Sequence, residues 1–443
     1  MPEVLRHPPK LVTAAIALVT VLALVVIATR DSSSQAASPT PATSVIILSG
    51  DGMGIQQRTA IQYALYGLDE RQPMDALPYT GFLDTIPAGP IAVTDSAAGA
   101  TAWAIGEKTI NGYTGLGPDK KRVPTLLDIA KQQGKTTALI NDHDVTNATL
   151  ASFGGPVINR DWKSTIAAKE IYNNKVDILM GGNEAYWYPP GNPGKIPNTV
   201  PDEDRSEGRQ GNLVEKAISQ GYQYAYDRDT VAALTGPRVL ALVQDSAKRR
   251  WVEEKGYKFK KDPHYVPVVD MVKKALDIAD DNPNGFFFAM ESDDLDSAGH
   301  EHDVRNVIQS GRTINQVVKA IQEYRETNPN VLLIVTADHE TGGMTIEPMG
   351  ETNTNSDGDD PIPYWGKKAR NNAGPNGEVP KRSGPIKIKG TKDRKFKVDW
   401  TTPEHTGGMV PVTAVGPLAE ELVGVHHNTH VFDVAKQALT ASP

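Results

Sequence analysis

The sequence predicts an α/β fold around a large, mostly parallel sheet, and three observations support this prediction. Short apolar runs rich in β-forming residues recur along the chain. Helical patterns lie between these runs, and this alternation is typical of a parallel sheet flanked by helices. The runs end in polar, acidic or histidine residues, which is where ligands gather in such sheets.

Five strands are predicted in chain order. They are TSVIILSGDGMG at the start of the folded body, TTALIND at 136–142, VDILMGGN at 176–183, GFFFAMES at 285–292 and NVLLIVTADHE at 330–340. The helices predicted between them include VPTLLDIAKQQG at 123–134, YVPVVDMVKKALDIADDN at 265–282 and VIQSGRTINQVVKAIQEYRET at 307–327.

The N-terminal segment has the order of a secretory signal. Arg6 and Lys10 precede an apolar run from Leu11 to Ala28, and a polar Ser/Pro/Ala stretch follows. Residues 1–30 are interpreted as a cleaved signal peptide or an uncleaved signal anchor, because about 18 apolar residues reach the lower limit for spanning a bilayer. Residues 31–43 are predicted to be a linker. We expect an exported protein that is periplasmic, extracellular or anchored to a membrane and facing outside.

Residues 44–443 are predicted to form a single domain. Two stretches interrupt its strand and helix pattern, at 183–265 and 349–399, and we expect both to be insertions on the core. The net charge of -8 argues against a nucleic-acid partner, since such binders need positive charge against phosphates. The chain has no cysteine, which excludes disulfides and thiolate metal sites.

The stretch VTDSAAGATA at 93–102 places Asp95 and Ser96 at the start of an alanine-rich helix. Both residue types are preferred helix caps, so capping alone could explain the pattern. A helix N-terminus also offers unpaired N–H groups and a positive dipole end, which suit an oxyanion or phosphate. On this stretch alone, Ser96 is either a helix cap or a nucleophile.

Oxygen and nitrogen ligands cluster in four other motifs. GDGMG supplies Asp51, and TPEHTGGMVPV supplies His405. The remaining candidates are Glu291, Asp296 and His300 in ESDDLDSAGH, with Asp338 and His339 in TADHETGG. Carboxylates and imidazoles from several strand ends are the ligands that zinc and magnesium need when thiolates are absent.

Six motifs in order resemble the alkaline phosphatase family, across about residues 43–435. They are GDGMG, VTDSAAGATAWAIGEKTING, NATLASFGGPVINR, MESDDLDSAGH, TADHETGG and EHTGG. The resemblance implies a three-layer sandwich in which residues 44–443 form the catalytic domain. It also implies hydrolysis of phosphate monoesters through a phosphoseryl intermediate. Ser96 matches the nucleophile, which we expect to cap its helix as well, and Arg160 matches the arginine that binds the substrate phosphate.

The resemblance also implies two zinc ions and one magnesium ion, with Asp51 bridging one zinc and the magnesium. The implied ligands are Asp51, Asp338 and His339 for that zinc, Asp296, His300 and His405 for the other zinc, and Thr149 and Glu291 for the magnesium. Homodimerisation and an N-terminal membrane anchor are further expectations.

Two positions depart from the family pattern. Asn147 stands where many relatives have Asp or His near the magnesium, and Ser297 where many have a basic residue facing the phosphate. The first puts the third metal in doubt, and the second predicts weaker phosphate binding. His426, His427 and His430 are either an accessory metal site or hydrogen-bonded packing. A phosphodiesterase of the same superfamily and a non-catalytic extracellular phosphate or metal binder are the alternative functions.

Overall fold

A ten-stranded sheet forms the centre of the fold. The computed structural model describes residues 44–196, 208–243, 262–348, 352–354, 361–363 and 383–441. The strands in these ranges are β1 (Ser44–Gly50), β2 (Tyr79–Asp84), β3 (Thr136–Asp144), β4 (Ile178–Gly182), β5 (Gln223–Ala225), β6 (Val239–Leu242), β7 (Phe286–Ser292), β8 (Val331–Thr336), β9 (Glu340–Thr341), β10 (Thr345–Pro348), β11 (Thr352–Thr354), β12 (Pro361–Pro363), β13 (Ile386–Lys387), β14 (Lys395–Asp399), β15 (His405–Thr406), β16 (Val410–Val415) and β17 (Gly424–His427).

The α-helices of the described ranges alternate with these strands. They are α1 (Ile55–Leu65), α2 (Ser96–Ile105), α3 (Leu126–Gln132), α4 (Ala148–Gly154), α5 (Lys163–Glu170), α6 (Leu213–Ser219), α7 (Arg228–Ala232), α8 (Val268–Ala279), α9 (Asp294–His300), α10 (Val304–Arg325) and α11 (His430–Thr440). All five predicted strands and the three quoted helices are confirmed, with bounds that differ by a few residues.

The strand order of the central sheet is β17-β2-β16-β8-β1-β7-β3-β4-β6-β5. Strand β16 runs antiparallel to its neighbours β2 and β8, and the other neighbouring pairs of this sheet are parallel. Every residue of β1, β7 and β8 is buried. Such continuous apolar strands are typical of a parallel sheet covered on both faces.

Two groups of helices flank the sheet and complete the three-layer α/β arrangement. In one group, α10 contacts both α1 and α8. In the other, α2 and α3 contact each other and both contact α4 and α11. In α10, Gly311 lies so close to Ile61 of α1 that an added Cβ would be 2.2 Å from a side-chain atom. The missing side chain therefore permits close packing of these two helices.

The stretch 183–265 contributes directly to the sheet. Strand β6 pairs with β4, and β5 pairs with β6, so both strands of this stretch belong to the central sheet. From the later stretch, β13 and β14 join β10 in a separate three-stranded sheet. The predicted signal segment and linker lie outside the described residues. Within the ranges that the structure describes, no helix has the length and apolar character needed to cross a bilayer.

Candidate active site

The predicted ligands meet at one edge of the central sheet. Asp51 follows β1, Glu291 lies near the end of β7, and Asp338 and His339 follow β8. Because these strands are parallel, their carboxyl ends share one edge. Strand β16 runs in the opposite direction, so His405, which precedes β16, reaches the same edge from its N-terminal side.

Helix α2 begins at this edge with Ser96 as its first residue. The cap is Asp95, whose side chain accepts a hydrogen bond from the Ala98 amide at 2.9 Å. The expectation that Ser96 itself caps the helix is therefore wrong, because the preceding carboxylate occupies the cap position. Ser96 is buried, and its Oγ lies 3.2 Å from His339 Nε2.

A glycine lets the serine helix approach the β8 end. A Cβ added at Gly99 would lie 2.9 Å from the Asp338 carbonyl oxygen, closer than real side chains permit. Gly99 is in the first turns of α2, so its lack of a side chain fixes how close Ser96 comes to the ligands that follow β8.

Asp296, His300 and His405 form the first cluster. His300 Nε2 lies 3.1 Å from Asp296 Oδ2, and the Nε2 atoms of His300 and His405 are 3.2 Å apart. Each ring uses Nδ1 to donate to a backbone carbonyl, that of Pro403 for His300 and that of Thr94, at 3.0 Å, for His405. In a neutral imidazole this leaves the Nε2 lone pair free, as in metal-bound histidines.

The charges of the first cluster favour an ionised carboxylate. Burial alone would raise the pKa of Asp296, but the hydrogen bond with His300 and the neighbouring histidines outweigh it and lower that pKa. The same hydrogen bond raises the pKa of His300 to about 9. Thr341 also donates its hydroxyl to Asp296. The carboxylate is thus held as an anion that faces two imidazoles.

Asp51, Asp338 and His339 form the second cluster, and all three are buried. His339 Nε2 lies 3.4 Å from Asp51 Oδ1 and 3.2 Å from Asp338 Oδ2, yet neither oxygen has a hydrogen-bond partner. Burial and then the charge of Asp338 raise the pKa of Asp51. Burial and then Asp296 raise the pKa of Asp338 to about 7.

The first and second clusters adjoin each other. Single ligand atoms of Asp296, His339 and His405 lie within 4.8 Å of one another, and the His339 and His405 rings stack with centroids 3.5 Å apart. Two ions held by these clusters would therefore be neighbours, with the Ser96 hydroxyl beside His339.

The third cluster consists of Asp51, Glu291 and Asp293, whose carboxylate oxygens also lie within 4.8 Å of one another. Glu291 Oε1 and the hydroxyl oxygen of Thr149 are buried without a hydrogen-bond partner. The other Glu291 oxygen accepts a hydrogen bond from Asn141. Burial and the charge of Asp293 raise the pKa of Glu291 well above its ordinary value.

These clusters fit metal ions on their own geometry. Buried carboxylates that repel one another are costly unless cations compensate them. The unpartnered oxygens of Asp51, Asp338, Glu291 and Thr149 need the same compensation. The first two clusters offer mixed nitrogen and oxygen ligands suited to zinc, whereas the third offers oxygen alone, which suits magnesium.

Arg160 lies beside the start of α2. Its Nη1 is 3.3 Å from Asp95 Oδ2, and its backbone N–H donates to Gly112 O at 3.0 Å. Burial opposes ionisation, but Asp95 and then Asp51 raise the pKa of Arg160. A permanent planar cation is therefore held near Ser96, and a guanidinium can bind two phosphate oxygens at once.

The structure thus brings all ten predicted site residues to one region, and it adds residues that the sequence reasoning missed. Asp293 stands two residues after Glu291 in the quoted ESDDLDSAGH motif, but no pattern distinguished it from the acids around it. The capping pattern at Asp95 does not predict the contact of this residue with Arg160. Thr341 belongs to the TADHETGG motif, but the motif does not predict its hydrogen bond to Asp296.

The C-terminal histidines make hydrogen bonds away from these clusters. His426 Nε2 lies 2.9 Å from Val423 O, and His430 Nε2 lies 2.9 Å from Glu421 O. His427 Nδ1 lies 3.0 Å from Asp84 Oδ2. These contacts agree with hydrogen-bonded packing.

Known proteins similar to this chain cover almost its whole length. Alkaline phosphatase 4 of Bacillus subtilis (strain 168) is 27% identical over 441 residues, 90% of this chain and 89% of the relative. Streptomycin-6-phosphate phosphatase of Streptomyces griseus is 28% identical and the match covers 94% and 95% of the two chains. The crystal structure of a cold-active alkaline phosphatase from the psychrophile Shewanella sp. superposes with a TM-score of 0.69 at 27% identity, over 90% of this chain and 100% of that one.

The family profile described as alkaline phosphatase matches residues 42–441, which include the serine helix, Arg160 and all three ligand clusters. The match therefore spans the fold and the site together. The chain belongs to the alkaline phosphatase family.

Proposed function

We propose that this protein hydrolyses phosphate monoesters through a phosphoseryl intermediate on Ser96, using two zinc ions and one magnesium ion. The observation that carries this proposal is the 3.2 Å contact between Ser96 Oγ and His339 Nε2. The Ser96 hydroxyl thus lies beside a ligand atom of the second cluster, at the N-terminus of α2, which supports a nucleophilic role for Ser96.

Arg160, the α2 N-terminus and Ser96 each have a separate role in the proposed hydrolysis. Arg160 binds two phosphate oxygens and turns the phosphorus toward Ser96 Oγ. The α2 N-terminus adds backbone N–H groups and a positive dipole end beside the transferred phosphoryl group. Ser96 Oγ loses its proton and attacks phosphorus in line, while the ester oxygen leaves and takes up a proton as the alcohol. Water then attacks the phosphoseryl group from the vacated side, which releases inorganic phosphate and returns a proton to Ser96 Oγ. Two displacements retain configuration at phosphorus.

The metals would be held by the clusters already described. Zinc would bind to the first and second clusters, and magnesium to the third. Bound there, they supply Lewis-acid stabilisation of the attacking and leaving oxygens. Asp51 belongs to both the second and the third cluster, so it would connect one zinc to the magnesium.

Turnover of p-nitrophenyl phosphate at alkaline pH tests this function. Activity should disappear with EDTA, return with Zn²⁺ and Mg²⁺, and fall by several orders of magnitude in Ser96→Ala. Comparing rates on bis(p-nitrophenyl) phosphate tests the phosphodiesterase alternative, because a faster diester reaction would overturn the monoester proposal. Metal-loaded, folded protein that turns over neither ester would support a non-catalytic binder.

Export, an N-terminal anchor and homodimerisation are separate proposals. They rest on the N-terminal sequence pattern and on the family. Fractionation of expressing cells and the mass of the mature chain distinguish a cleaved signal from a retained anchor, and sedimentation measures the oligomeric state.

A further inference from the structure

We propose that Asp293 is a direct ligand of the magnesium ion, and that it provides the carboxylate that Asn147 lacks. The inference rests on the proposed function. It concerns the third cluster, in which position 147 departs from the family pattern by carrying an amide.

The position of Asp293 is the first argument. Its carboxylate, with those of Asp51 and Glu291, forms a group whose ligand atoms lie within 4.8 Å of one another. Asp293 is 6% exposed, so the group is largely removed from water. Three buried carboxylates at this spacing repel one another strongly when ionised, and a cation between them would stabilise the ionised form.

Unpartnered atoms around the group provide a second, independent argument. Glu291 Oε1 and Thr149 Oγ1 are buried without hydrogen-bond partners, as is Asp51 Oδ1. A buried oxygen left without a partner destabilises the folded protein, because its lost contact with water is not replaced. One ion with oxygen ligands would compensate all three unpartnered atoms as well as the Asp293 carboxylate. Magnesium has this preference, whereas zinc readily takes imidazole or thiolate.

Asn147 has a different task in this arrangement. Its Nδ2 donates to Asp293 Oδ2 at 2.9 Å, while its Oδ1 accepts from Lys163 Nζ at 3.0 Å. His143 Nδ1 lies 3.1 Å from the same Asp293 oxygen. Two groups thus orient the carboxylate from behind, as outer contacts do for metal ligands. An aspartate at 147 would lose the N–H donor and place a second negative charge against Asp293.

Exchanging Asn and Asp between positions 147 and 293 tests whether Asp293 is a magnesium ligand. Zinc-loaded wild type, Asp293→Asn, Asn147→Asp and the double variant Asn147→Asp/Asp293→Asn are titrated with Mg²⁺. Bound metal is measured by mass spectrometry, and folding by circular dichroism. We expect Asp293→Asn to keep both zinc ions and to need at least about tenfold more Mg²⁺ for half occupancy.

The double variant should bind Mg²⁺ as weakly as Asp293→Asn, because residue 147 contacts position 293 and a carboxylate moved there is no longer grouped with Asp51 and Glu291. Asn147→Asp alone should not bind Mg²⁺ more tightly than wild type. Asp303→Asn is the matched control: Asp303 is also buried and caps α10, and asparagine also caps helices well. Its Mg²⁺ titration should match wild type.

Wild-type Mg²⁺ affinity in folded Asp293→Asn would overturn the inference. If Asp293→Asn does not fold, crystals of the wild-type protein soaked in Mn²⁺ decide the question. Anomalous density for Mn²⁺ bonded to the Asp293 carboxylate supports the assignment, and density bonded to Asp51 and Glu291 but not to Asp293 refutes it. Failure of the proposed function would be seen separately, as wild-type protein that binds its metals without hydrolysing p-nitrophenyl phosphate.

Discussion

His300 and His405 present their Nε2 atoms to each other at 3.2 Å, although each ring already donates through Nδ1 to a backbone carbonyl. Two neutral rings held in this way would point lone pairs at one another, and without a metal the proton that His300 keeps below its pKa of about 9 lies on Nε2. Such a contact is unfavourable unless a cation or a proton lies between the two nitrogens. The backbone carbonyls of Pro403 and Thr94 therefore prepare both rings for metal binding before any ion arrives.

Metal removal should destabilise the fold. Each ion that binds only the native state contributes about 2.7 kcal/mol when its free concentration is 100 times its Kd. Without ions, Asp51, Asp338 and Glu291 either repel one another or take up protons, as their raised pKa values indicate. We expect thermal unfolding of the EDTA-treated protein to occur several degrees lower, and added Zn²⁺ and Mg²⁺ to reverse the shift. An unchanged Tm after verified metal loss would contradict this expectation.

Gly99→Ala should lower activity more than stability. Alanine normally improves a helix by about 1 kcal/mol relative to glycine. Here its Cβ would meet the Asp338 carbonyl at 2.9 Å, so α2 must move and carry Ser96 with it. We expect kcat/KM to fall about 10- to 100-fold. At Gly117 the nearest atoms to an added Cβ are side-chain oxygens at 3.2 and 3.3 Å, so Gly117→Ala is a control that should retain activity.

Arg160→Lys should weaken recognition of phosphate. Lysine preserves the positive charge but cannot bind two phosphate oxygens through a planar fork. We expect at least a tenfold loss in kcat/KM and a raised Ki for inorganic phosphate. The exposed Arg122, which pairs with Asp128, offers a control because Arg122→Lys should change neither constant. Equal effects of the two substitutions would remove Arg160 from phosphate binding.

Ser297→Lys should strengthen inhibition by phosphate. Ser297 is partly buried on α9 and adjacent to Asp296, so a cation there lies close to the first cluster. We expect the Ki for inorganic phosphate to fall several-fold, and product release to slow accordingly. A Ki equal to that of wild type would show that the missing charge at 297 does not control phosphate affinity.

Glu170→Gln should reduce the loss of stability at high pH. Glu170 is fully buried, neither carboxylate oxygen has a hydrogen-bond partner, and burial raises its pKa well above 4.5. A group whose pKa is higher in the folded state stabilises the protein below its unfolded pKa, and this contribution is lost as pH rises through the folded pKa. The stability of the variant relative to wild type should therefore increase from pH 5 to pH 9 in urea unfolding. The exposed Glu326 provides the control, and Glu326→Gln should show no such trend.

The sequence predicted the central strands well because they are continuous apolar runs such as FFFAM in β7. It missed β16, whose role depends on pairing between β2 and β8, and it interpreted the stretch containing β5 and β6 as an insertion. These assignments depend on contacts between distant segments, which local composition does not encode. Ser96 and the metal ligands were found through motifs, whereas Asp293 required knowing that the β7 end folds toward Asn147 and His143.

The reversed direction of β16 has a consequence for how metal content can be interpreted. His405 directly precedes β16, which pairs with β8, and it contacts Asp296 and His300, so the first cluster joins chain segments more than a hundred residues apart. A chain in which β16 has not joined the sheet lacks this ligand and should leave the adjoining metal site incomplete. Zinc stoichiometry in a preparation therefore also counts the molecules that have finished folding.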